Sequence, residues 1–131
     1  AQANEIKRIF VGNESAKISI IAFESFTCSY CAKFHQDVYP LLKKEYLDTG
    51  LAKIEFRHFP LDIAAFNASK VSQCRNDGDP EILERLYANQ QKWVRGNTVE
   101  EANLNLQKFL ISQGYNIDFE NCINNKQIEH I

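Results

Sequence analysis

The chain has 131 residues, 44% of them hydrophobic and 24% charged, the balance of one ordinary globular domain able to bury a core without a metal or a staple. Fifteen Lys and Arg against 17 Asp and Glu leave a formal charge of −2, so nucleic acid and anionic membrane surfaces have no electrostatic hold on it as partners. The longest apolar stretch, residues 18–23, is broken by Ser19 and is too short to span a bilayer, while the lack of any methionine is compatible with a removed export signal.

In chain order, residues 7–11 followed by Gly12 and Asn13 read as a short strand closed by a turn. Residues 17–23 are β-branched and nearly all apolar, as in a strand buried on both faces of a parallel or mixed sheet. From Cys31 the period changes, with Phe34, Val38, Leu41 and Leu42 recurring at helical spacing opposite Lys33, Gln36, Lys43 and Lys44. Thr27 is the expected N-cap, which sets Cys28 in the first helical turn, and Pro40 should kink or break the helix near Val38 and Tyr39. Gly50 ends that element. Residues 52–59 alternate Ile54 and Phe56 against Lys53, Glu55 and Arg57, as a half-buried strand would, and strand, helix, strand in this order implies a right-handed crossover between parallel strands.

After Pro60 the patterns are helical. One helix is expected over residues 62–76, stopped by Asn76, Asp77 and Gly78. A second, capped by Asp79 with Pro80 at its first helical position, carries one stripe of Ile82, Leu83, Leu86, Gln90, Trp93 and Val94. Thr98 and Glu101 form a capping box for a third, with Ala102, Leu106, Phe109 and Leu110 inward and Gly114 as its stop. Asp118 caps a last helix holding Phe119, Cys122 and Ile123. The expected organisation is therefore a β/α unit over residues 1–61 and a helical unit over residues 62–131, with Trp93, Phe109 and Phe119 in the core.

The chain has four cysteines. Cys28 and Cys31 form a C-x-x-C where a strand hands over to a helix, close enough for a disulfide and with the first cysteine at the surface. Helix N-terminal amides and the positive end of the dipole favour a thiolate at Cys28. Cys28 is then the nucleophile of thiol-disulfide exchange and Cys31, buried one turn in, resolves the mixed disulfide. Ser29 and Tyr30, inside the loop, tune the thiolate. The competing readings are an inert structural pair and a metal half-site that His35 extends, although a tetrahedral site needs a further ligand pair that this sequence lacks. His35 and His58 are better read as packing or hydrogen-bonding residues. Glu24, at the strand end, is placed to relay a proton near Cys31, though a carboxylate there is more often a solvated residue. Cys74 and Cys122 fall in the same helical unit, which favours a structural disulfide and an oxidising compartment, against two buried free thiols.

Phe23 to His35 (FESFTCSYCAKFH), with Val38-Tyr39-Pro40-Leu41, Tyr46 to Gly50 and Phe56 to Asp62, resembles the DsbA-like family of thioredoxin-fold proteins from about residue 8 to 130. The Trp93 region and the Cys122 helix resemble the helical insertion of alphaproteobacterial-type members, which carry an extra cysteine pair. The resemblance implies an α/β fold in which a thioredoxin-like β-α-β unit carries a helical insertion. It also implies a periplasmic oxidase of exported proteins with free thiols, reoxidised by a membrane partner of the DsbB type and using no metal or organic cofactor. The dipeptide Ser29-Tyr30 departs from the proline-histidine of the best-known oxidases, so isomerase or reductase chemistry remains an alternative to oxidation. The family's fold continues beyond its insertion with a cis-proline strand, a further strand and a helix that these residues do not supply. The sheet is therefore expected to have two or three strands and an open edge suited to self-association.

Overall fold

A computed structural model describes residues 6–126; residues 1–5 and 127–131, the outer ends of the two expected units, lie outside them. Strands β1 (Ile9–Gly12), β2 (Ile18–Glu24) and β3 (Ala52–His58) form a sheet in the order β1-β3-β2, with β2 parallel and β1 antiparallel to β3. Register lines Ile9, Phe56 and Ala22 into one row and Val11, Ile54 and Ile20 into the next. Because side chains alternate along a strand, both rows fall on one face, where Ile9, Ile54 and Phe56 are buried. Gly12 ends β1 at φ +106, and a Cβ there would lie 2.6 Å from the Ala52 carbonyl oxygen, so only glycine fits that close approach.

The opposite face corrects the expectation of a doubly buried second strand. β2 is an edge strand, and Ile21 and Phe23 are 46% and 61% exposed. Apolar composition alone reports how a strand can be covered, not whether a layer lies over it. On this face Glu55 is buried under Arg57, whose Nε and Nη2 donate to its two carboxylate oxygens at 2.9 and 3.1 Å.

Helix α1 (Ser29–Lys33) runs into a π-helical turn, Phe34–Val38, before α2 (Tyr39–Leu42) and a second such turn, Lys43–Leu47. Pro40 is the cause. It lacks the N–H that an α-helix would return to residue 36, so the ladder loosens ahead of it and the Tyr39 N–H reaches back to Phe34 O. This widened turn buries His35 and leaves Tyr39 and Leu47 against the sheet.

Helices α3 (Ile63–Gln73), α4 (Glu81–Ala88), α5 (Gln90–Trp93), α6 (Val99–Ser112) and α7 (Phe119–Asn124) follow. Asp62, Thr98 and Asp118 accept the capping N–H groups of Ala65, Glu101 and Asn121. The Glu101 carboxylate reaches the N–H of Asn97 rather than that of Thr98, one residue short of a reciprocal capping box. Pro80 itself takes the N-cap position of α4, one residue later than its sequence pattern implies. The stripe expected to run through Val94 in one helix is divided at Asn89, whose backbone leaves the helical region (φ −119, ψ 26). Trp93, Phe109 and Phe119 join one buried cluster with Ile54, Phe56, Leu83, Leu86 and Tyr87. Of these, Ile54, Leu83 and Leu86 are fully buried, and each such aliphatic side chain contributes roughly 1.5–3 kcal/mol. Cys74, just after α3, and Cys122 in α7 are disulfide-bonded, with Cα atoms 5.6 Å apart.

His58, at the end of β3, lies 3.1 Å from Ser72 Oγ with its ring centroid 5.3 Å from that of Phe26. Burial pushes its imidazole down from 6.5 to about 4, against a weaker upward pull from Gln73. Between those values the unfolded chain binds a proton that the folded chain refuses, so stability should fall as pH drops from about 6.5 to about 4, by roughly 2–3 kcal/mol at the lower end. Urea midpoints at pH 7 and near pH 4.5 check this. Wild type should lose clearly more between them than His58→Gln, which has no such proton to refuse.

Candidate active site

β2 delivers the chain to the site, and Ser25, Phe26 and Thr27 turn it into α1. Phe26 anchors the turn. It is fully buried, stacked on Tyr87 at 4.5 Å and edge-on to Trp93 at 6.2 Å. Thr27 does not cap the helix as expected. Its hydroxyl donates to Asp62 Oδ2 at 2.9 Å, so the carboxylate that caps α3 also holds the redox loop. The N-cap position belongs to Cys28 (φ −77, ψ 119), one residue later than the sequence pattern implies.

That shift matters chemically, because an N-cap side chain faces the orphan amides of the first turn. Cys28 makes no capping hydrogen bond as a thiol. As a thiolate it is stabilised first by the Cys31 N–H, then by the Cys31 thiol and the Tyr30 N–H. These outweigh burial and lower it below its ordinary 9.0. Cys31 moves the other way. Burial pushes it up to about 11, opposed by the Ser25 N–H and reinforced by Cys28 and Glu24. Both sulfur-bearing residues are partly exposed, and it is at Cys31, one turn further in, that desolvation dominates, while hydrogen bonding dominates at Cys28. Ser29 and Tyr30 are exposed, Tyr30 at 82%.

Two placements depart from sequence reasoning. Glu24 is not solvated; its carboxylate is buried and Oε2 lies 2.7 Å from His35 Nε2. Gln90, counted from the sequence as a member of an apolar stripe, is a polar clamp. Its Nε2 donates to Phe26 O at 2.7 Å and to Cys28 O at 2.9 Å, tying α5 to the redox loop. A lone amide in an otherwise apolar stripe was the signal for it, since a buried amide demands partners. His35 Nε2 is committed to Glu24, and among the described residues no three His, Cys, Asp or Glu side chains gather as a metal would require.

A family model described as Thioredoxin matches residues 4–131. The chain belongs to the thioredoxin family. Among solved structures, this thioredoxin-family chain superposes on Wolbachia pipientis alpha-DsbA1 with a TM-score of 0.80 at 31% identity, covering 94% of this chain and 62% of that one. A Rickettsia conorii protein whose name carries the words protein-disulfide oxidoreductase is 27% identical over 124 residues, 92% of this chain and 44% of its own length. Bacillus subtilis disulfide bond formation protein D is 25% identical over 93 residues, 64% of this chain and 42% of its own length. The chain thus spans less than half the length of these curated relatives. The mixed α/β architecture, with a small sheet and a helical insertion, is that of the DsbA-like thioredoxin fold.

Proposed function

We propose that the protein is a thiol:disulfide oxidoreductase that oxidises dithiols of exported proteins through Cys28 and Cys31. The observation that carries this reading is the opposed tuning of two neighbouring thiols, Cys28 lowered by first-turn amides and Cys31 raised to about 11 by burial. A client thiolate attacks Cys28 Sγ of the Cys28–Cys31 disulfide, and Cys31 leaves and takes up a proton by way of Glu24. A second client thiolate then attacks the client sulfur of the mixed disulfide, the client disulfide forms, and Cys28 leaves as the stabilised thiolate. Two electrons pass from client to enzyme. Ser29 and Tyr30 set the polarity of this loop.

Exposed Phe59, Leu61 and Ile63 lie beside the loop, where Leu61 N–H donates to Ser25 Oγ, and they offer an apolar surface to an unfolded client. The Cys74–Cys122 bond supports an oxidising compartment such as the periplasm, with a DsbB-type membrane protein as reoxidant. The open edge of β2 offers a route to self-association.

After mild reduction, alkylation at pH 6–7 should modify Cys28 well before Cys31, as read by peptide mass spectrometry. Faster modification of Cys31 would overturn the assignment of roles.

A further inference from the structure

Behind the redox pair sits a buried acid-base couple that the exchange chemistry just described uses only in part. Glu24 Oε2 lies 2.7 Å from His35 Nε2, and the two side chains are 6% and 2% exposed. Each keeps one buried polar atom without a partner among the described residues, Glu24 Oε1 and His35 Nδ1. A buried N–H left without an acceptor is costly, so the imidazole carries its proton on Nε2, donates it to Oε2 and leaves Nδ1 bare. One carboxylate oxygen is therefore held and the other is free to take a proton.

The surroundings give that couple little competition. His35 is stacked on Tyr87 at 4.2 Å and 3° and meets Tyr39 and Phe56 at 5.2 Å and Phe34 at 5.5 Å. Burial raises the hydroxyls of Tyr39 and Tyr87 well above their ordinary 10.0, helped at Tyr39 by its bond to Glu84, so both stay protonated near neutrality. Cys31 in α1 and Cys28 at its N-cap both feel the Glu24 carboxylate, and Ser25, the next residue, turns its N–H to the Cys31 sulfur.

We propose that His35 is a positioning residue for the proton that Cys31 exchanges: by holding Glu24 Oε2 through Nε2–H, it sets how readily the carboxylate gives and recovers that proton at Oε1. This rests on Cys28 and Cys31 being the exchanging pair. When the Cys28–Cys31 bond breaks, its electron pair stays on Cys31 Sγ, the proton on Glu24 Oε1 moves to that sulfur, and the carboxylate left behind is stabilised by the His35 N–H. Solvent returns the proton before the next cycle, and the reverse transfer accompanies attack by Cys31. Without His35 the carboxylate left behind by the transfer has no donor on Oε2, so the transfer to Cys31 slows.

The test is the rate at which reduced glutathione opens the Cys28–Cys31 disulfide, followed from pH 5 to 9 and corrected for glutathione ionisation. His35→Phe should slow the reaction about tenfold near pH 7 and give a pH profile that no longer superposes on wild type. His35→Gln, whose amide can donate to Oε2, should recover to within about threefold of wild type. A His35→Phe profile superposable on wild type, with exchange intact, would overturn the role of His35 and leave the redox pair standing. Absence of exchange in wild type would overturn both. Should His35→Phe fail to fold, nitrogen NMR of wild type decides. His35 is expected as the Nε2–H tautomer with ring signals that differ between the oxidised and reduced protein at one pH, and identical signals in the two states would sink the proposal.

Discussion

Cys31→Ser should convert the protein into a trap that accumulates a mixed disulfide on Cys28, whereas Cys28→Ser should lower exchange by about three orders of magnitude or more. The difference follows from what each sulfur can do. In the proposed exchange Cys28, faced by the amides of Cys31 and Tyr30, is the better leaving group and the sulfur that meets the client. Cys31, raised to about 11, attacks only after losing a proton to its surroundings. Removing Cys31 leaves the first bond formed with no internal thiol to resolve it. Removing Cys28 leaves a partly buried thiol with little thiolate at neutral pH. Non-reducing electrophoresis after incubation of Cys31→Ser with an activated mixed-disulfide reagent, followed by mass mapping of the adduct, should locate it on Cys28. An adduct on Cys74 or Cys122, or none, would contradict the reading.

Loss of the second cysteine pair should act on stability instead. The Cys74–Cys122 bond closes a loop of sequence separation 48, and the chain-entropy model assigns such a loop roughly 4 kcal/mol. Cys122 is buried, Phe119 joins the core, and the Lys70 ammonium of α3 donates to Ile123 O of α7 at 2.9 Å and lies 4.3 Å from the Phe66 ring centroid. A double Cys74→Ala, Cys122→Ala variant should therefore lose roughly 4 kcal/mol in urea denaturation, with hydrogen exchange rising first in α7. Glutathione should still open Cys28–Cys31 in the folded fraction, because Gln90, Asp62 and Phe26 hold the redox loop independently. A loss under about 1 kcal/mol would mean that the bond constrains little beyond what packing already holds.

Much of this architecture is legible in the sequence, because local patterns encode local structure. The change of period from Cys31, the C-x-x-C at the change and Pro40 inside a helical stripe specify a strand, a helix start and an irregular helix without reference to anything distant. Thr98 and Asp118 act as the expected caps because a cap needs only its own next turn, while Thr27 and Asp79 each miss the N-cap position by one residue. What the tertiary structure decided is which faces are covered and which polar groups meet. Residues 17–23 carry the composition of a buried strand, yet β2 lies at a sheet edge, since coverage depends on which strands and layers arrive beside it. Glu24 and His35 lie 11 residues apart, and their meeting requires both the strand end and a π-helical turn that swings the imidazole inward. Gln90 reaches carbonyls 64 and 62 residues before it, a contact created only when the helical insertion folds back over the redox loop. A single sequence encodes propensity and period at short range, while the partners of a buried polar atom, as at Glu24, His35 and Gln90, are fixed by long-range packing.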